Sequence, residues 1–167
     1  MPVTDSCAGC GFTYDLRRAA SAGDDICAGA AEVVAFLCNN DVDVRRRARP
    51  EVWSPLEYAC HLRDVLLVQR ERVLAARRVN GADCASMGRD ERAEHDGYNE
   101  QDPTRVARQL TDAATLFSNA LVRLSASDWD RTVVYHYPET GPRSLRWVAV
   151  HTAHEMQHHL GDIRRQL

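Results

Sequence analysis

The residues Ser54-Pro55-Leu56-Glu57 mark the start of a helix more clearly than any other segment of this chain. A serine at the cap position and a glutamate three residues later form a capping box, in which each side chain accepts the other residue's backbone N–H. Proline is favoured at the first helical position because its missing N–H would have no partner there. Apolar residues continue to about Val79, and Asn80-Gly81 is a stop signal. The pattern therefore predicts a long helix over residues 55–79.

Three other segments are typical of helices. The first runs from Leu16 to about Cys38 and carries apolar residues on one side. The second opens at Asp102-Pro103, again a cap residue followed by proline, and the last is capped by Ser144 and runs to about Gln166. The apolar face of the second of these consists of Val106, Leu110, Ala113, Ala114, Phe117, Leu121 and Leu124.

The connections between these helices are polar. Residues 81–101 predict a long polar loop, and Asp130–Pro138 predicts a short extended crossover. A chain of 167 residues fits one domain. We therefore predict an all-α fold, a four-helix bundle with a long crossover, in a single domain over residues 1–167 that includes a Cys-containing arm at residues 1–15.

Composition excludes several classes of protein. The net charge is only −3, which gives no reason to expect binding to nucleic acid or to an anionic membrane. No apolar run approaches the ~18 residues of a spanning helix, and the N-terminus lacks the charged and apolar regions of a secretory signal. We expect a cytoplasmic protein whose six cysteines are reduced.

The last predicted helix contains four histidines, and two pairs of residues compete as metal ligands. His154 with His158, and Glu155 with His159, are each spaced i, i+4, which places two ligand atoms on one helical face. On a helical wheel the apolar seam lies closer to His159 and Glu155 than to the other pair. The seam consists of Leu145, Val148, Ala149, Thr152, Met156, Leu160 and Ile163.

The wheel therefore predicts that Glu155 and His159 face the bundle interior, whereas His154 and His158 face solvent or a loop. An ionised carboxylate beside a core is costly unless a positive charge accompanies it. A divalent metal ion would supply that charge. The alternative is that Glu155 pairs with an arginine such as Arg63 while His159 simply packs.

Two short motifs at opposite ends of the chain resemble the DinB/YfiT-like superfamily. Trp53, Glu57 and His61 match its Trp-Ser/Thr-x-x-Glu-x-x-x-His signature. Glu155 and His159, followed by Leu-Gly-Asp-Ile, match its second signature, His/Glu-x-x-x-His. The superfamily includes bacterial thiol S-transferases and mycothiol-dependent maleylpyruvate isomerases. The resemblance implies that His61, Glu155 and His159 bind one divalent metal ion. Two histidines and one glutamate suit zinc, which is the leading interpretation, while nickel, iron and manganese stay open.

The resemblance also implies a function. Three protein ligands leave a position for substrate, and a cation there stabilises a thiolate. We expect transfer of a low-molecular-weight thiol, mycothiol in the leading interpretation, onto an electrophilic small molecule in a detoxification reaction. The alternatives are a thiol-dependent isomerase of a maleylpyruvate-like diacid and a non-catalytic metal-binding stress protein. A homodimer stays open as an alternative to a monomer.

Three other sets of residues have open interpretations. Cys7 and Cys10 resemble half of a zinc ribbon, but they also suit a labile disulfide or a plain arm. Asp96 or Tyr98, in the polar loop, would position substrate or move a proton if the loop covered the bundle mouth. Three arginines near the last helix suit either a carboxylate-bearing substrate or an ordinary surface: Arg131, Arg143 and Arg146.

Overall fold

The computed structural model describes residues 6–137 and 139–166. Its α-helices are α1 (Ala22–Leu37), α2 (Pro55–Arg78), α3 (Arg89–His95), α4 (Pro103–Val122) and α5 (Leu145–Arg164). Its strands are β1 (Ala82–Asp83), β2 (Thr132–Tyr135) and β3 (Gly141–Ser144). Short 3₁₀ helices occupy Leu16–Ser21, Tyr98–Glu100 and Asp128–Asp130.

The four long helices α1, α2, α4 and α5 form a bundle, as predicted. Both α1 and α2 pack against α4 and α5, so α1 lies diagonally opposite α2. The core between them consists of the apolar faces that the helical patterns predict, including Ile26 and Val33 of α1 and Leu110 and Phe117 of α4. A single domain over the whole chain stays a prediction.

Three predicted segments differ in detail from the structure. The polar loop at residues 81–101 contains β1, α3 and a 3₁₀ turn, and the first predicted helix divides into a 3₁₀ helix and α1. The predicted crossover contains strand β2, which belongs to a three-stranded sheet and lies parallel to β1 and antiparallel to β3. Its last residue, Pro138, and residues 1–5 of the predicted arm lie outside the described residues.

The start of α2 is fixed by the predicted capping box and by an ion pair. Ser54 Oγ accepts the backbone N–H of Glu57 at 3.2 Å, and Glu57 Oε2 accepts that of Ser54 at 2.8 Å. Arg47 Nε also donates to Glu57 Oε2, at 2.8 Å. Burial opposes ionisation of Glu57, but Arg47 and Ser54 hold the pKa of its carboxyl below the ordinary value. These contacts set the position of His61, one helical turn further along.

The small sheet plays the same part for α5. Thr132 pairs with Ser144, and Val133 with Arg143, so β3 delivers the chain directly to the helix start. Ser144 Oγ then accepts the backbone N–H of Trp147 at 3.2 Å, which confirms the predicted cap. Among the described residues, no helix combines the length and the apolar character needed to cross a bilayer.

We predict that Glu57→Gln lowers the free energy of unfolding by about 1–3 kcal/mol, because it removes a buried charge partner of Arg47 and weakens the cap. The native carboxyl has a lowered pKa, so its stabilisation is present above its ordinary pKa of 4.5 and is lost as the pH falls further. Denaturant melts at several pH values measure the difference. The difference in free energy of unfolding between the native protein and Glu57→Gln should be constant near neutral pH and smaller in acid.

The exposed Glu51→Gln provides a matched control, since among the described residues Glu51 pairs only with the exposed Arg49, 3.6 Å away. That substitution should change the free energy of unfolding by less than about 0.5 kcal/mol. Equal destabilisation by both substitutions would contradict a special role for the buried carboxyl.

Candidate metal centre

The structure brings together the three residues predicted as ligands. His61 lies on α2, and Glu155 and His159 lie one turn apart on α5. The ligand atoms of all three lie within 4.8 Å of one another. Glu155 Oε2 is 4.0 Å from His61 Nε2 and 3.6 Å from His159 Nε2. Two imidazoles and one carboxylate thus face a common point, which is a donor set suited to a divalent transition metal.

The two imidazoles are held by different surroundings. His159 Nδ1 is 2.8 Å from Asp162 Oδ2, a contact that fixes the ring and directs Nε2 at the common point. His61 is 2% exposed and packs against the Trp53 ring, with ring centroids 5.3 Å apart. His61 Nδ1 is buried and has no hydrogen-bond partner among the described residues. Packing, in place of a hydrogen bond, therefore orients His61.

Electrostatics keep Glu155 ionised in spite of its burial. Burial alone would raise its pKa, but the imidazoles of His154, His159 and His61 hold the pKa of the carboxyl far below its ordinary value. Burial lowers the pKa of His61. Burial acts in the same direction on His159, but Asp162 and Glu155 raise its pKa overall. A cation at the common point would meet a carboxylate that is already charged.

A fourth imidazole, which the sequence analysis missed, adjoins this cluster. His151 Nε2 is 3.9 Å from Glu155 Oε1, and the ring stacks on Trp147 at a centroid distance of 4.4 Å. Burial lowers the pKa of His151 to about 4. His151, Glu155 and His159 form one i, i+4 series, so helical spacing could have identified it. His151 Nδ1 also lies 2.9 Å from Tyr14 Oη in the N-terminal arm. Tyr14 is too far from His151 in the sequence for helical spacing to reveal this contact.

His154 and His158 face the N-terminal arm, although His154 Nδ1 also lies 3.6 Å from Glu155 Oε1. His154 is 9% exposed and lies under Phe12, with ring centroids 5.3 Å apart. His158 Nδ1 lies 3.6 Å from Cys7 Sγ. The two histidines thus lie on the side of α5 that the helical wheel predicts, and they face the N-terminal arm, not solvent. Burial raises the pKa of Cys7, but contacts to His154 and to backbone N–H groups lower it overall to about 6.

The triad opens into a cavity of about 970 Å³. Two guanidinium groups in its wall, those of Arg72 and Arg143, have no carboxylate within ion-pair distance among the described residues. Arg72 donates instead to Tyr135 Oη at 2.7 Å, and Arg143 lies over the Trp147 ring. Arg143 Nε is buried and has no partner in the described part of the chain. The cavity therefore suits a substrate that carries an anionic group.

The other two arginines singled out in the sequence lie elsewhere. Arg131 donates to the carbonyl oxygens of Ala76 and Arg77, and Arg146 pairs with Asp130. Neither of them lines the cavity. They hold β2 and α5 against neighbouring segments, so for Arg131 and Arg146 the structure favours the second interpretation, an ordinary surface arginine.

The structure also corrects the expectation for Asp96 and Tyr98. Tyr98 is fully buried, and its hydroxyl donates to Asp64 Oδ2 at 2.6 Å, with its pKa raised by burial and by Asp64. Asp96 is exposed at the end of α3. Neither of them lines the cavity, because the chain turns inward at Tyr98. An earlier part of the same loop, residues 86–91, does reach the cavity wall.

The alternative partner of Glu155 does not reach it. Arg63 donates to Asp64 Oδ1 at 2.7 Å and to the side-chain oxygens of Gln101 and Gln109. Its guanidinium therefore serves a separate polar cluster between α2 and α4. Glu155 is instead surrounded by imidazoles, as the metal interpretation requires.

Fold and site together define a class of protein: a four-helix bundle with a candidate metal centre between its second and last long helices. The chain belongs to the DinB superfamily, whose family model matches residues 31–163. Its structure is similar to that of YfiT from Bacillus subtilis, described as a probable metal-dependent hydrolase with an unusual four-helix bundle topology. The TM-score is 0.74 at 15% identity, over 90% of this chain and 85% of that chain. The comparison with curated proteins finds no match.

We predict that His61→Ala and His159→Ala each reduce the divalent metal bound per chain by one equivalent, because each substitution leaves only two protein ligands. The exposed His95→Ala, on α3, is the matched control and should keep the full metal content. Elemental analysis of untagged protein measures the ratio. Unchanged metal content in both ligand variants would exclude this site.

Proposed function

We propose that this protein transfers a low-molecular-weight thiol onto an electrophilic small molecule in a metal-dependent reaction. The observation that supports this most is the position of the triad at the cavity wall, where three ligands leave room for a substrate sulfur. A divalent ion at that point, zinc in our proposal, would stabilise the thiol in its thiolate form at neutral pH. Such a thiolate is a strong nucleophile.

The residues of the chain then bind and orient the two reactants. Arg72 and Arg143 bind anionic groups, Trp147 and Tyr135 provide aromatic surface, and Glu155 is kept charged by its imidazoles. The reaction forms a carbon–sulfur bond, releases the thiol proton to solvent and expels the leaving group of the electrophile. Mycothiol is the thiol that we propose, on the resemblance of the two signatures to mycothiol-dependent enzymes.

Two other reactions would use the same site. The guanidinium groups of Arg72 and Arg143, which have no carboxylate partner among the described residues, also suit a maleylpyruvate-like diacid, in which case the thiol would be required but not consumed. YfiT is described as a probable hydrolase, in which case water would replace the thiol. The stoichiometry of thiol consumption distinguishes these reactions, since only a transferase consumes one thiol for each electrophile.

We predict that the metal-loaded protein consumes thiol in the presence of an electrophile such as monobromobimane, and that a chelator or His61→Ala removes this activity. The control His95→Ala should be as active as the native protein. Thiol loss is followed colorimetrically and the adduct by mass spectrometry. Product formation without thiol would indicate a hydrolase, and metal binding without any turnover would favour a non-catalytic protein.

We further predict that Arg143→Gln raises KM for a carboxylate-bearing substrate about tenfold or more, because a hydrogen bond to a charged group contributes about 1.5–3 kcal/mol. The matched control is Arg146→Gln. Arg146 lies in the first turn of α5, close to Arg143 in the chain, and its guanidinium pairs with Asp130 outside the cavity. Steady-state kinetics with charged and uncharged electrophiles test this. An equal effect on both substrates would argue against anion binding by Arg143.

A further inference from the structure

The arm at residues 6–13 folds into a tight knuckle around its two cysteines. Ser6 and Thr13 form an antiparallel bridge, and the Cys7 N–H donates to Phe12 O at 2.8 Å. The Gly11 N–H donates back to Cys7 O at 2.8 Å, and Gly11 has a positive φ of 72° that favours glycine. Neither cysteine forms a disulfide, and both thiols lie on one side of a narrow turn.

This knuckle lies directly against the two histidines that the triad does not use. The ligand atoms of Cys7, Cys10, His154 and His158 all lie within 4.8 Å of one another. In a tetrahedral zinc site the ligand atoms are about 3.3–3.8 Å apart, because the bonds are about 2.0–2.3 Å long. The contact between Cys7 Sγ and His158 Nδ1, at 3.6 Å, already has that spacing. Small side-chain rotations would bring the other atoms to it.

Close approach of the knuckle to α5 depends on Gly9. A Cβ at this position would lie 3.0 Å from His158 Cε1, which is tighter than ordinary van der Waals contact. Glycine between the two cysteines therefore allows the turn to sit on the imidazole. A plain surface arm would have no such requirement.

The ring nitrogens of both histidines are arranged as in metal ligands. His154 Nε2 is buried without a partner among the described residues, while its Nδ1 lies 2.8 Å from Tyr14 Oη. His158 Nδ1 faces Cys7, while its Nε2 is 3.8 Å from Asp162 Oδ2. In each ring one nitrogen contacts an oxygen and the other remains for coordination. Ligating histidines are commonly oriented in this way.

We propose that Cys7, Cys10, His154 and His158 bind a structural zinc ion that fastens the N-terminal knuckle to α5. Two thiolates and two imidazoles form a closed Cys2His2 set, in which the protein supplies all four ligands and no position is left for substrate. The sulfur ligands select zinc over magnesium, calcium or manganese. This set shares no residue with the triad, so both sites can be occupied in one chain.

The proposed ion has a consequence for the cavity. Ser6, Cys7 and Tyr14 of the arm line the cavity. The zinc ion would hold this wall in place by tying the arm to α5. Its role is structural, and it is independent of whether the triad catalyses thiol transfer.

The test is the zinc content of the untagged, reduced chain and of paired variants. We expect two zinc ions per chain in the native protein and one in Cys7→Ser/Cys10→Ser. The matched control is Cys27→Ser/Cys38→Ser, which removes two free thiols from α1 and its C-terminal cap and should retain two ions. Equal zinc content in all three proteins, or a Cys7–Cys10 disulfide under reducing conditions, would overturn the proposal.

Cobalt substitution distinguishes this site from the triad. Thiolate ligands give Co²⁺ an intense near-ultraviolet charge-transfer absorption, whereas a His2Glu site gives none. The absorption should persist in His61→Ala and disappear in Cys7→Ser/Cys10→Ser. Loss of the band in His61→Ala alone would overturn the proposal, whereas failure of the triad to bind metal would leave the band intact.

Hydrogen exchange provides a readout that does not depend on activity. Removal of zinc from the native chain should increase exchange at the Cys7 and Gly11 amides, both of which donate within the knuckle. The His61→Ala chain should show the same increase on chelation. Exchange that is unaffected by zinc at these amides would contradict a structural role for the ion.

Discussion

Glu155 places a negative charge in the interior of this end of the bundle, and its neighbours are arranged around that charge. Desolvation of a carboxylate is costly, and no arginine or lysine compensates it among the described residues. Imidazoles approach it instead, from α2 and from α5 itself. Because the charge of Glu155 needs a neighbouring imidazole, α2 must be positioned so that His61 lies opposite Glu155 on α5. The capping box of α2, one turn before His61, sets that position.

The helix α5 presents three different faces between Val148 and His159. Val148, Thr152 and Met156 are buried in the bundle core. The i, i+4 series that ends at His159 faces the cavity, and His154 with His158 faces the arm. A rotation of about 100° per residue separates these faces, so neighbouring histidines belong to different environments. Histidine number alone therefore says little about which of them bind metal.

What could be predicted from the sequence was determined by local signals. Cap residues and proline fix the starts of α2, α4 and α5, and apolar spacing places Glu155 and His159 on the face of α5 that meets His61. The family resemblance predicted that His61 meets Glu155 and His159, but other contacts between distant segments were not predicted. Tyr14 meets His151 across 137 positions, and no periodicity records that. Tyr98 resembled a loop residue because its burial depends on a hydrogen bond to Asp64, on another helix.

Asp162 links the two candidate sites. Its Oδ2 atom contacts His159 Nδ1 at 2.8 Å and lies 3.8 Å from His158 Nε2. A cation on His159 would make its N–H a stronger donor to this carboxylate, and a cation on His158 would do the same from the other side. Each ion would thereby reduce the conformational freedom of the side chain that supports the other. Since such coupling is reciprocal, occupancy of either site should favour order in its neighbour.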